Sequence, residues 1–221
     1  MYFYNQLIFA MKNLCLLFVM AGFIVACGPQ IYKAATLEQS KKKVRTVAII
    51  PFAAHIDIRK LPKGVTEESI HDSEVKTGYD LQNQVYSEFL KRSSKDKYTV
   101  KFQDIDKTNA LLKKNNITYD NLGEKQKSEL CKLLNVDAII SGNIKMSKPM
   151  SDGAAVAIGV IFGSWGTTNE TTVSLNIHDV TDELQWKYDH IDSGSVGSSS
   201  ERLAKSLMVN VSRKFPYKME Q

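Results

Sequence analysis

Helical and strand periodicities interleave through the body of this chain and predict an α/β (α+β) fold, a mixed sheet of about five strands with helices packed on its faces. Three observations carry that expectation. Thr46 to Phe52 (TVAIIPF) and Asp137 to Ile144 (DAIISGNI) are short, apolar, largely β-branched runs of the kind buried on both faces of a sheet. Between them, apolar residues return at helical spacing. After them, Thr171 to Val180 and Leu184 to Ile191 alternate in character and are joined by Thr181, Asp182 and Glu183, as in a hairpin.

The elements follow in order. Pro51 ends the first strand, and the irregular stretch from Ala53 to Ser73, with Pro62 and Gly64, reads as a long loop. Val75, Tyr79, Val85, Tyr86, Phe89 and Leu90 place an apolar stripe on a helix from about Glu74 to Arg92. Tyr98 to Phe102 (YTVKF) alternates as a strand does, and Asp104 or Asp106 is positioned to cap the helix bearing Ala110, Leu111 and Leu112. A further helix runs from Glu124 to Leu134, with Asn135 as its C-cap. The capping box Ser198-x-x-Glu201 opens a last helix that continues to about Lys214.

Composition narrows the class. Of 221 residues, 43% are hydrophobic and 24% charged, which suits a folded domain. The 29 Lys and Arg against 24 Asp and Glu give a net charge of +5 with no continuous basic stripe, so nucleic acid is not an expected partner. Three cysteines are present, Cys15, Cys27 and Cys131; the last stands between Leu130 and Leu133 on an amphipathic helix and reads as a buried thiol.

The amino terminus has its own logic. From Met11 the chain reads MKNLCLLFVMAGFIVAC: one positive residue, an apolar run from Leu14 to Val25, small Ala26, then Cys27. The run is short for a transmembrane helix of about 20 residues. Residues 1–10 put an aromatic, apolar stretch ahead of the positive residue, so Met11 competes with Met1 as the start. Ile24-Val25-Ala26-Cys27 resembles the lipobox of bacterial lipoproteins, in which the cysteine receives diacylglycerol, the leader is cut before it, and the new amine is acylated. The resemblance implies a signal peptide over 1–26 and a covalent lipid on Cys27, the one prosthetic group expected. Several acyl chains, at about 0.8 kcal/mol per buried methylene, hold a protein on a bilayer durably. Gly28 after the cysteine, by the same resemblance, fits sorting to the outer membrane, facing the periplasm. Residues 27–45, polar and basic, read as a lipidated cysteine and flexible tether, and 46–221 as a single α/β domain.

No constellation suggests catalysis or a resident metal. His55, His71, His178 and His190 lack metal-ligand spacing. His178 and His190 stand on the two arms of the hairpin, where cross-strand pairing would bring them near each other. Ser193 to Ser200 is rich in small residues before a helix but lacks a Gly-Lys-Ser/Thr ending, and no Gly-x-Ser-x-Gly elbow occurs. The most unusual stretch is the apolar, glycine-rich insert 153–166 (GAAVAIGVIFGSWG). Its Ile158, Gly159, Phe162, Gly163 and Trp165 belong either to a strand buried against the sheet or to a surface meeting membrane or another subunit.

TVAIIPF, then YDNLGEKQKSELCKLLNVDAIISGNI, then VSLNIHDVTDELQWKYDHIDSGS form an arrangement that resembles the α/β domain of the TolB amino-terminal part, the curli-secretion lipoprotein CsgG and the penicillin-binding-protein activator lipoproteins. The likeness runs from about Arg45 to Pro216 and supplies no catalytic motif. It implies a TolB amino-terminal-like fold and a lipid-anchored, noncatalytic module that binds or assembles envelope proteins, with a homo-oligomer as one form. The alternative is an oligomeric, membrane-inserting component of a secretion or transport system. Replacing the anchor residue, Cys27→Ser, is expected to leave an unprocessed, unlipidated precursor on a gel; normal maturation of the variant would end the lipobox assignment.

Overall fold

A computed structural model of the chain describes residues 30–58, 61, 64–95, 97–147, 170–193 and 200–219. Along the chain these form β1 (Gln30–Lys33), α1 (Leu37–Lys43), β2 (Thr46–Ile49), β3 (Ala53–Asp57), α2 (Glu67–Ser93), β4 (Lys101–Phe102), α3 (Ile105–Lys114), α4 (Tyr119–Leu122), α5 (Lys127–Leu134), β5 (Ala138–Ser147), β6 (Glu170–Asp179), β7 (Leu184–Ser193) and α6 (Ser200–Lys214). The fold class is the expected mixed α/β one. The sheet has seven strands rather than about five, ordered β1-β7-β6-β5-β2-β4, with β3 also paired to β5.

Both additional strands lie where sequence periodicity failed. The segment expected as a flexible tether contributes β1, antiparallel to β7, and then α1, whose Leu37 is buried along with Ala34 and Val44 on either side. Their four-residue and seven-residue spans are too short to show a period, and long-range pairing supplies their order. The loop expected from Ala53 contains β3. Ile49 pairs with Ile140 and Ala53 with Asn143, so one strand advances four residues while the other advances three. That extra residue falls around Pro51, which has no N–H to give to a ladder; the bulge absorbs it and pairing with β5 resumes.

The ends of the helices are set by side chains. Thr66 and Ser69 form a reciprocal capping box that starts α2 two turns before its apolar stripe begins. Asp104 accepts from the amides of Asp106 and Lys107, as expected for the start of α3. Asn135, at φ 54, closes α5 in the left-handed conformation, again as expected. The carboxylate of Asp137 accepts from the amides of both Arg45 and Thr46 at 2.8 Å, locking β2 to the start of β5.

Two cores flank the sheet. On one face α2, α6 and the residue after it bury Leu81, Phe89, Leu207 and Phe215 against Trp186 and Tyr188; on the other α3 and α5 bury Leu112, Leu130, Cys131 and Leu134 against Ala48, Ile50 and Ile139. Each fully buried side chain of this size contributes roughly 1.5–3 kcal/mol. Ile140 is wholly buried on central β5, between β2 and β6. Ile140→Asp leaves a charge there without a partner and is expected to cost more than about 4 kcal/mol; an unchanged urea midpoint would contradict the placement.

Candidate functional site

A cleft of about 770 Å³ opens at the carboxyl end of β2, beside the middle of β5 and β6. Ligands in α/β sheets commonly sit outside the carboxyl ends of parallel strands, where the chain must leave the sheet. Here the bulge at Pro51 opens the space, α4 and the turn after it wall one side, and His71 and Glu74 on α2 wall another.

Beside the cleft, β3 presents amides that no further strand pairs, and two side chains close that edge. Ala54 N donates to the Tyr119 hydroxyl oxygen at 2.7 Å, and Ile56 N donates to Glu74 Oε1 at 2.8 Å. An edge covered in this way cannot recruit a foreign strand. Glu74 also faces two imidazoles, His55 Nδ1 at 3.4 Å and His71 Nδ1 at 4.0 Å, while His71 Nε2 lies 3.0 Å from Asp120. Burial pushes the Tyr119 phenol above its usual range. It therefore stays protonated, its oxygen filled by Ala54 and its O–H free to donate.

The floor is polar. Asn176 is 9% exposed, lines the cleft, and has no side-chain hydrogen bond among the described residues. Its carboxamide offers donors and an acceptor to whatever enters. His178 Nδ1 is buried without a partner among the described residues, and burial, then Lys127, holds the imidazole below its ordinary range, so it is neutral at pH 7. Asp182, on the β6–β7 turn at φ 66, accepts from the amides of Lys127 and Ser128 and caps α5 across the cleft rim. These groups leave hydrogen-bonding capacity directed into the cleft; among the described residues no group of three His, Cys, Asp or Glu side chains is placed to hold a metal.

Several sequence expectations meet the structure here. His178 and His190 do not approach one another: His178 pairs with Leu184 and His190 with Val173, and the two rings lie on opposite faces. His190 stacks on Tyr188, inside the row with Trp186, while His178 joins Asn176 at the cleft. Cys131 is buried as expected, and burial pushes its thiol up to about 12, with Asp179, Asp137 and Asp182 adding to the effect. Cys27, expected as the anchor, Ile24, Val25 and Ala26, expected as its lipobox, and Ile158, Gly159, Phe162, Gly163 and Trp165 lie outside the described residues. The cleft residues were not foreseen. Tyr119 and Asn176 carry no motif, and the signal that could have found them, a proline bulge in a strand that then continues, is visible only once β3 is paired.

No family model matches the chain, and no curated protein does. Among solved structures, the lipoprotein GNA1162 from Neisseria meningitidis is similar at TM-score 0.46 and 9% identity, over 76% of this chain and 94% of that one. A PelC dodecamer from Paraburkholderia phytofirmans is similar at TM-score 0.41 and 13% identity, over 88% and 99%. The LpoB C-terminal domain from Salmonella enterica is similar at TM-score 0.34 and 6% identity, over 72% and 96%. Each is a similarity of chain path at low identity.

Tyr119→Phe removes the one acceptor of Ala54 N and is expected to cost about 1–3 kcal/mol. Hydrogen exchange should show the loss concentrated at Ala54, and an unchanged Ala54 amide would show that another group satisfies it.

Proposed function

We propose that the protein is a lipid-anchored, noncatalytic component of the cell envelope that binds or assembles partner envelope proteins, its cleft receiving a polar segment of the partner. One observation carries the reading: the lipobox Ile24-Val25-Ala26-Cys27 stands only three residues before Gln30, the first residue of a paired edge strand. Three residues reach at most about 10 Å. A lipid on Cys27 therefore holds the sheet itself beside the bilayer, without a long tether. The cleft supports binding rather than turnover, since its buried groups are hydrogen-bonding amide, phenol and neutral imidazole, and Cys131 lies on the buried side of α5 as a protonated thiol. Among the described residues no helix is long and apolar enough to cross a membrane.

A second reading, the oligomeric membrane-inserting component of a secretion or transport system, is favoured by one feature of the topology. Ser147 pairs with Glu170 and Glu170 with Ser193, so the segment 148–169 leaves and re-enters at one end of the sheet. Gln30 pairs with Asp189, with β7 running on toward that same end, so β1 begins on that side. The described residues that lead to the anchor and to the insert, Gln30, Ser147 and Glu170, thus lie toward one end of the sheet.

The test is photocrosslinking in intact cells from the exposed cleft residue Asn143, with exposed Lys91 on α2 as control. Adducts are expected from Asn143, absent from Lys91, and lost when Cys27→Ser holds the protein back as an unprocessed, unlipidated precursor. Equal capture from both positions would remove the cleft from the proposal. Oligomers of the Cys27→Ser protein that form only with detergent would favour the second reading.

A further inference from the structure

The side of the molecule along β1 carries a second depression, of about 450 Å³, formed by β1, α1 and the end of α6 with the residues that follow it. Lys33, Lys41, Arg213, Lys214 and Lys218 line it against one acid, Glu38. Glu38 is engaged by Lys41 at 3.0 Å. The other four cations have no carboxylate within 4 Å among the described residues. Five cations and one acid concentrate in this place a charge close to the net +5 of the entire chain.

Helix chemistry accounts for only part of this. Lys41, Arg213 and Lys214 lie in the last turns of α1 and α6, where cations offset the helix dipole. Lys33 is on a strand and Lys218 is bridged to Tyr98 beyond α6, so neither has that reason to be there. The floor is apolar, with Leu37 and Phe215 buried beneath, and Met219, which also lines the depression, is 44% exposed. Cations around an apolar floor with an exposed methionine are the pattern of a surface seated at a membrane interface.

We infer that this groove docks the phosphodiester headgroups of anionic phospholipids in the membrane that holds the anchor, laying the β1 edge of the sheet against the bilayer. The inference deepens the reading of Cys27 as the lipidated residue and rests on it for location: Lys33 is six residues from Cys27, no more than about 22 Å of chain. The lipid then fixes where the domain sits, and the groove fixes which side faces down.

The test uses the native protein, with its own amino terminus, on vesicles of pure phosphatidylcholine and of phosphatidylcholine mixed with phosphatidylglycerol. Mass spectrometry reads the acylation of Lys33, Lys214 and Lys218 by an amine reagent. These lysines are expected to be protected on the mixed vesicles only, with protection fading as salt approaches about 1 M, where the Debye length is about 3 Å. The double variant Lys214→Gln, Lys218→Gln changes only exposed side chains and should shift the protected fraction of Lys33 roughly thirtyfold toward the open state. Protein that floats with both vesicle types and is acylated equally on each overturns the groove and leaves the anchor standing. Protein that ignores pure phosphatidylcholine but is protected by the mixture upholds the groove and removes the anchor. Protection by soluble polyglutamate equal to that by the mixed vesicles would overturn the inference in favour of an acidic polypeptide.

Discussion

The packing of Phe52 between two glycines is the constraint on which the rest of this structure depends. Its amide donates to the carbonyl of Gly78 on α2 at 3.1 Å, and its ring covers Gly142 on β5 so closely that an added Cβ would fall inside it. A Cβ on Gly78 would likewise strike the Phe52 carbonyl oxygen and the Tyr119 ring. Because Pro51 cannot donate, the strand must leave the ladder here, and this contact gives the departing backbone another partner. The strand can then return as β3 in parallel register with β5. Without it, β3, the covered edge and the cleft would have no fixed position.

Polar groups elsewhere obey the same accounting. Gln82 donates to the carbonyl of Ile49 and exchanges two hydrogen bonds with Asn109, so the end of β2 is satisfied from α2 and α3 together. Gln103 donates to the Leu134 carbonyl while accepting from Thr108, joining α5 to α3. Such buried bonds contribute about 1 kcal/mol each, yet losing one partner costs more, because the other is stranded away from water. They fix the register of helices on a sheet whose apolar contacts alone would tolerate sliding. Asn176 stands out against this background, as a buried carboxamide in the cleft with no side-chain bond among the described residues.

The two sides of the molecule are unlike in chemistry. The cleft at the covered edge of β3 mixes acids, two lysines and neutral polar groups, while the groove along β1 at the far edge of the sheet has five cations to one acid. On the proposed reading, one edge meets the bilayer and the other remains free for a partner. The sheet between them is a stiff spacer, since β5, β6 and β7 each run ten residues in continuous register apart from one irregularity at Ile177 and His178.

By itself the sequence determined the features written in local chemistry. TVAIIPF and DAIISGNI are buried strands because their residues leave no polar face; Asp104 and Asn135 end helices because a carboxylate can reach two amides and an asparagine tolerates positive φ; Cys131 is buried because it lies in an apolar stripe. The resemblance of Ile24-Val25-Ala26-Cys27 to a lipobox is likewise a purely local pattern. Tertiary structure alone decided that β1 and β3 are strands, since a few residues acquire order only from a partner distant in sequence. It alone separated His178 from His190, because a bulge and a pleat determine which face a side chain takes. The cleft and the basic groove were likewise invisible in one dimension. Tyr119 lies 65 residues from the amide it accepts, and Lys33 meets Lys214 only after the whole sheet has formed between them.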